Sequence, residues 1–581
     1  MMQTTAHGGP KSELRDALGS CLSAFIGIGA FSGLINLLML TGSLFMLEVY
    51  DRVLPSRSVP TLVGLSVLTA VLFMFQALLE ITRGRLLVRI GNQLDCRLSA
   101  RVYDLVVRLP LRARPGSDGL QPVRDLDTVR SFLSGLGPTA LFDLPWIPLY
   151  VAICFAFHVL IGVTVLCGAI ILVALTLTTE FLSRRPVKAA TTQAALRSRL
   201  AEISRRNADV LAAMGMSESL RDRWLDLGRE HLAQQKRVND VAGGLGTAGR
   251  VLRMALQSAV LGVGAYLVIQ QEATAGIIIA GSILAGRALA PIDLAIVNWK
   301  GFVAARQSWH RLGQLFAAMP TAAARLQLPA PAHALTAEML GIAPPGAQKL
   351  VVHDVNFSLK AGSAVGVIGP SASGKSSLVR AIVGVWQPAR GCLRLDGATI
   401  DQWTPESLGR HIGYLPQDVE LIEGTIAENI ARFARGAPAA AVIAAAKAAG
   451  VHDLIVNLPG GYETQIGEQG AALSAGQQQR IALARALYGD PFLVVLDEPN
   501  SNLDGEGEEA LTRAILGVRA RGGIVIVVAH RPSALAAVDH LLAMVRGTQQ
   551  AFGPKEEILP RLVRRESPPP GPLKVVPQAG G

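Results

Sequence analysis

The sequence predicts a six-span α-helical membrane domain followed by a soluble α/β P-loop domain, on three observations. The 581-residue chain is 50% hydrophobic and only 17% charged, with a mean hydropathy of +0.37, whereas an ordinary globular chain carries about 25% charge. Its first half holds long uncharged runs. Its second half holds an apolar strand that runs into a glycine-rich phosphate loop. A disordered, fibrous or wholly soluble protein is excluded. The net charge of +11 is read as Lys and Arg kept on cytoplasmic loops and beside anionic membrane lipid, not as a nucleic-acid footprint. Cysteines 21, 96, 154, 167 and 392 form no CxxC pair and no Cys/His cluster, so neither a disulfide framework nor a zinc site is expected.

Residues 1–20 are polar and read as a cytoplasmic segment; the apolar run that follows is too long for a signal-peptide core, so it is taken as a retained anchor. The membrane domain is expected over residues 21–310. Leu22 to Met46 exceeds the roughly 20 residues that cross the hydrocarbon, and Thr61 to Leu79 follows it. Leu141 to Leu182 is long enough for two crossings with a turn near His158. Met254 to Ile269 and Ala275 to Trp299 complete six. The basic segment from Arg83 to Arg130 and that from Arg184 to Arg250 belong in the cytoplasm, because positive loops are retained there. Ala194 to Leu232 has few helix breakers and reads as a helical extension. Arg287 and Asp293, beside Pro291, are either pathway-lining charges or residues beyond the headgroups.

Residues 311–345 read as a Pro/Ala-rich linker, 346–565 as the α/β domain and 566–581 as a disordered Pro-rich tail. Within AVGVIGPSASGKSSLVRAIVGV, a strand from Ala364 to Ile368 leads into Gly369, Pro370, Ser371, Ala372, Ser373, Gly374 and Lys375, and a helix starts at Ser376 and Ser377. Backbone N–H groups of such a loop close round phosphate oxygens at a helix N-terminus, Lys375 reaches the β/γ-phosphates and the Ser376 hydroxyl ligates Mg²⁺. The apolar run Phe492 to Leu496 ends in Asp497, suited to hold Mg²⁺, and Glu498, placed to polarise an attacking water. ATP and Mg²⁺ are the expected substrate and cofactor.

Between these lies LSAGQQQR, Leu473 to Arg480, which resembles the signature of ABC ATPases. Gln417 in YLPQ resembles the Q-loop, a Mg²⁺ and water-contacting position, Ser501 to Asp504 the D-loop, and His530 the H-loop switch. The chain thus resembles an ABC exporter half-transporter over residues 20 to 560. The resemblance implies a head-to-tail homodimer in which Ser474, Ala475, Gly476 and Gln477 of one copy, with Asp504, complete the nucleotide site of the other. Two departures stand out. Ala475 replaces one of the two signature glycines, and no Phe, Tyr or Trp lies between Ala317 and Asn356 to stack on adenine, which leaves an aliphatic face such as Ile342 or Val351. TQIGEQG, Thr464 to Gly470, resembles the exporter X-loop, and Gly116 to Gly135 its first coupling helix.

LMLTGSLFMLEVYDRVLPSRSVPTL (38–62), DLPWIPLY (143–150), NADVLAAMGM (207–216) and GRALAPID (286–293) narrow the resemblance to bacterial type I secretion ABC transporters of the alkaline-protease and lipase branch. That implies an inner-membrane exporter of unfolded protein cargo bearing an uncleaved C-terminal signal, working with a periplasmic membrane-fusion adaptor and an outer-membrane channel. With about twenty residues ahead of the first span, leader-peptide processing by this chain is not expected. The alternative is an exporter of lipid or drug-like small molecules.

Overall fold

In the computed structural model, the described residues are 12–112, 119–320, 327–467, 473–529 and 532–566. The chain falls into two compact units, the first Met1–Leu109 with Gly116–Thr321 and the second Pro110–Pro115 with Ala322–Gly581.

Six helical segments of the first unit are long and apolar enough to cross a membrane: Leu22–Ser56, Val59–Arg112, Gly137–Phe157, Val159–Arg206, Ser217–Ile269 and Ala275–Ala318. They coincide with the six predicted runs, including the turn at His158, whose extended backbone and Nδ1, accepting from the Leu160 N–H at 3.1 Å, start the fourth span. The second, fourth, fifth and sixth helices overshoot the ~20 residues a bilayer needs and continue as long extensions. One expectation fails within them. The helix read as continuous over Ala194 to Leu232 stops at Arg206, makes a short turn of helix over Ala208–Ala213 and restarts at Ser217. Gly215, at φ 66°, explains the second interruption, since a left-handed residue cannot sit inside an α-helix; the first falls at Asn207, whose φ of -110° and ψ of 28° leave helical geometry. The polar amino-terminal segment also holds a helix, Ser12–Gly19, whose Leu14 and Ala17 pack against Leu98, Val102 and Phe316.

Asp51, where the first span bends through a π-turn, accepts from the Thr274 hydroxyl (2.7 Å) and the Gly276 N–H (2.9 Å). It thereby satisfies a donor that the sixth helix leaves unpaired at its start. Deeper in the bundle Arg83, which the sequence places with the exposed basic segment, is buried. Its guanidinium donates to Asp143 Oδ1 at 3.0 Å and to Ser32 at 2.9 Å, while Asn36 donates to the same carboxylate oxygen at 2.9 Å and Tyr150 donates to Asn36. Three spans are joined by one saturated charge. Arg83→Ala is therefore expected to cost about 3–5 kcal/mol, because it strands a buried carboxylate; the check is a lower melting temperature in detergent with an unchanged oligomeric state.

The second unit is built on a ten-stranded sheet. In chain order its strands are β1 (Ala334–Ile342), β2 (Val352–Lys360), β3 (Ala364–Ile368), β4 (Arg390–Leu395), β5 (Ala398–Thr399), β6 (Ile412–Leu415), β7 (Leu493–Asp497), β8 (Ile524–Val528), β9 (His540–Val545) and β10 (Thr548–Pro554). The spatial order is β5-β4-β1-β2-β10-β9-β3-β8-β7-β6. β1 corrects the linker and domain boundaries drawn from the sequence: residues 311–318 finish the sixth helix, and 334–342 are a paired strand of the sheet. Flanking Pro and Ala masked it, although ALTAEMLGI buries Leu335 and Ala337 alternately, as a strand requires.

β3, β8 and β7 are parallel neighbours buried almost throughout, which is why β7 and β8 read as Val/Ile/Leu runs and β3, AVGVI, as an apolar one. Register decides where the chemistry goes. Val528 on β8 pairs with Val367 on one side and with Asp497 on the other. The phosphate loop and the Asp497–Glu498 step thus leave the same sheet edge, two strand spacings or about 10 Å apart.

Candidate functional site

The loop after β3 is held down by two glycines. Gly369 has φ 155° and a Cβ there would stand 2.1 Å from the Met544 carbonyl oxygen; Gly374 has φ 92° and its Cβ would meet Val352 Cγ2 at 2.9 Å. The loop therefore lies close on the sheet and delivers the chain into the helix Lys375–Ile382 with its first N–H groups facing outward from the strand ends. Pro370, Ser371 and Ala372 are exposed, Ser376 and Ser377 half-buried. Ser373 Oγ is buried without a hydrogen-bond partner among the described residues. Lys375 is buried and folds its Nζ onto the carbonyls of Gly369 (2.8 Å) and Pro370 (2.9 Å). Burial pulls its pKa below the ordinary lysine value, against the opposing pull of Glu498 and Asp497. An ammonium short of water beside N–H groups at a helix start is a receptor for a polyanion.

Asp497 is buried, and desolvation holds its pKa above the usual carboxylate range despite a hydrogen bond from Ser376. Its Oδ1 has no partner among the described residues. A buried, unpartnered carboxylate oxygen next to a serine hydroxyl fits Mg²⁺, a hard cation that takes oxygen ligands. Glu498 follows with φ 51°, a left-handed conformation that costs a non-glycine residue about 1–3 kcal/mol. Its N–H bonds to the Val528 carbonyl at 3.0 Å, and its Oε2 accepts from Gln417 Nε2 at 3.4 Å. Gln417, Asp497, Glu498, Ser376 and Lys375 are thus brought together at the ends of the central strands. His530 lies outside the described residues.

The signature segment is a separate place. Ser474 caps the helix Ala475–Leu487: its hydroxyl accepts from the Gln477 N–H at 3.3 Å and Gln477 Oε1 accepts from the Ser474 N–H at 2.9 Å. Ala475 is the exposed first residue of that helix, so its methyl occupies ordinary helical backbone and not the tight turn inferred from the sequence. Gly476 is needed, since a Cβ would press to 2.9 Å on the Asn502 carbonyl. Asp504 caps the helix Gly505–Ala520 through the Gly507 N–H at 2.9 Å and pairs with Arg480; those two bonds, the Gly507 N–H first, lower its pKa. Of the two aliphatic candidates for adenine, Ile342 is wholly buried and is ruled out, whereas Val351 is half-buried with its carbonyl beside Gly374. Gln465 bridges to Thr425, and Gln469 lies outside the described residues.

Two residues escaped sequence reasoning. Gln479, 2% exposed, donates to the Pro499 carbonyl (2.6 Å) and accepts from the Asn502 N–H (3.0 Å), fixing the signature helix to the loop that follows Glu498. In a run of three glutamines only the helical phase distinguishes it. Arg432, at φ 56°, donates to the carbonyls of Arg485 and Ala486 in the last turn of the signature helix, to that of Gly409 in the helix Pro405–His411 and to that of Ile412 at the start of β6. It staples the strand that leads to Gln417 to the helix that starts at Ser474, and satisfies helix-end carbonyls while doing so. No local motif announces it.

The family model for the ABC transporter transmembrane region matches residues 25–289, and that for the ABC transporter matches residues 352–501. The type I secretion system ATP-binding protein PrsD of Rhizobium meliloti is 60% identical over 555 residues, covering 96% of this chain and 95% of the relative. The cyclolysin secretion/processing ATP-binding protein CyaB of Bordetella pertussis is 32% identical, covering 90% of this chain and 74% of the relative. A bacterial Atm1-family ABC exporter solved with ATP bound superposes with a TM-score of 0.80 over 94% of this chain and 99% of that chain, at 22% identity; it matches in fold.

Proposed function

The chain belongs to the ABC transporter family and, within it, to the type I secretion ATP-binding proteins, and on that premise we propose that it drives unfolded protein cargo out of the cell as a homodimer. It is an ATP-hydrolysing, multi-pass membrane transporter. The reading places it in the bacterial inner membrane with the nucleotide-binding unit in the cytoplasm, coupled to a periplasmic membrane-fusion adaptor and an outer-membrane channel. Cargo is taken through an uncleaved C-terminal signal, as in the protease and lipase branch. The observation that carries this is the 60% identity to PrsD across both units, membrane half included.

In the proposed cycle the loop Gly369 to Ser377 binds the triphosphate of ATP and Lys375 leaves the Gly369 and Pro370 carbonyls for the β/γ-phosphates. Asp497, Ser376 and Gln417 would hold Mg²⁺, which when bound neutralises charge on the phosphate oxygens. Glu498, steadied by Gln417, accepts a proton from the attacking water, and His530 is assigned the H-loop switch role that its sequence context resembles. Ser474, Gly476 and Gln477 are capped among themselves within one chain, and Asp504 caps its own helix. Their contribution to the nucleotide site comes from a second copy, giving two composite sites.

The test of cargo class attaches the last ~50 to 60 residues of a secreted partner protein, too few to fold stably alone, to a slow-folding passenger. Full-length passenger is expected in the medium, dependent on this chain and its adaptor. Secretion without the C-terminal segment, or trimming at the amino terminus by this chain, would overturn the reading in favour of the lipid, drug or leader-processing exporters.

A further inference from the structure

Two acids deep in the spans are bonded to arginines. Counting 1.5 Å per residue from the helix ends, Asp143 stands about 21 Å from Phe157 and is bonded to Arg83. Asp293 stands about 27 Å from Ala275 and is bonded to Arg253. Arg287 lies about 18 Å from Ala275, deeper than either; among the described residues it lies within electrostatic reach of Tyr150 and makes no hydrogen bond or ion pair. It is exposed, on a stripe of the sixth helix comprising Ile283, Arg287, Ala290, Leu294 and Val297, while Leu284, Ala288 and Ile292 on the other side are buried in the bundle.

An unpaired guanidinium in the middle of a ~30 Å hydrocarbon core is too costly to face lipid tails. The headgroups lie roughly 12 to 18 Å away along the helix, beyond an arginine's length. A second copy offers no free acid at that depth, because Asp143 and Asp293 are already engaged and Glu80 and Glu180 lie some 32 Å along their helices, near the other face. What remains is a watered path and whatever passes through it. We propose that this stripe lines the cargo path and that Arg287 binds side-chain carboxylates of acidic stretches of the exported polypeptide, bidentately and transiently. The inference rests on the protein-export reading above and names the cargo chemistry that reading leaves open.

The experiment compares two passengers, an Asp/Gly/Ser repeat and an Asn/Gly/Ser repeat, each joined to the same C-terminal segment of a protein this exporter secretes. Secretion rates are measured in cells carrying the full-length chain, Arg287→Gln or Arg287→Lys. Arg287→Gln is expected to slow the acidic passenger about tenfold relative to the neutral one, the loss of one charge-assisted hydrogen bond, and Arg287→Lys to restore most of the difference. The ratio cancels any change in the amount of folded exporter. Equal slowing of both passengers, or none, would overturn the proposal. If Arg287→Gln does not insert, p-benzoylphenylalanine at position 287 with the acidic passenger stalled in the exporter reads the same contact: an adduct to the passenger is expected, and adducts confined to lipid or to the second copy contradict it. Failure of both passengers to leave wild-type cells would instead strike at the export reading itself.

Discussion

Glu498→Gln is expected to lower ATP turnover by about 10²–10⁴-fold, the contribution of a positioned general base, while ATP stays bound. The side chain keeps its length, so Gln417 still has an oxygen or nitrogen to meet at the 3.4 Å separation of the native pair. Asp497, the proposed Mg²⁺ ligand, is untouched. What disappears is the carboxylate that receives the water's proton. The left-handed backbone at Glu498, held by the N–H bond to Val528 and by the Gln479 contact on the Pro499 carbonyl, is also retained, so the loss falls on turnover and not on folding. Phosphate release and nucleotide binding measured on the same purified protein check this. Turnover near the wild-type rate would remove Glu498 from the chemistry.

Lys375→Ala should act at the other step. In the absence of phosphate the ammonium is held by two backbone carbonyls in a buried site, where burial already depresses its pKa. Triphosphate replaces neutral acceptors with charged ones, and the variant forfeits that gain. Hydrogen bonds to charged groups are worth about 1.5–3 kcal/mol, so nucleotide affinity is expected to fall by roughly 10- to 150-fold, measured by titration with ATP at fixed salt. An unchanged affinity with lost turnover would mean that Lys375 serves only the transition state.

Much of this architecture is legible in the sequence because the physics is local. A bilayer imposes a length on each apolar run, and a buried parallel strand ending in glycine or in paired acids carries its chemistry at the strand tip. β3 and β7 are therefore visible as the apolar runs Ala364 to Ile368 and Phe492 to Leu496. What stayed hidden depends on long-range partners. Arg83 reads as one more arginine of a basic stretch until Asp143, sixty positions on, is folded against it. Arg432 reads as solvent-facing until four carbonyls from three elements surround it. β1 hides behind prolines, and the break at 207–216 lies in a stretch whose composition favours helix, where a turn at Asn207 and one left-handed glycine decide the outcome.

The most direct test of ATP-driven protein export follows one unfolded polypeptide across one membrane. Inside-out vesicles containing the chain and its adaptor are given a labelled polypeptide carrying the C-terminal segment, and then protease. The account predicts protected, full-length polypeptide that accumulates only with ATP, fails with Glu498→Gln and fails when the segment is removed. Robust ATP hydrolysis with no protected polypeptide, in vesicles that take up a lipid or a dye instead, would contradict it.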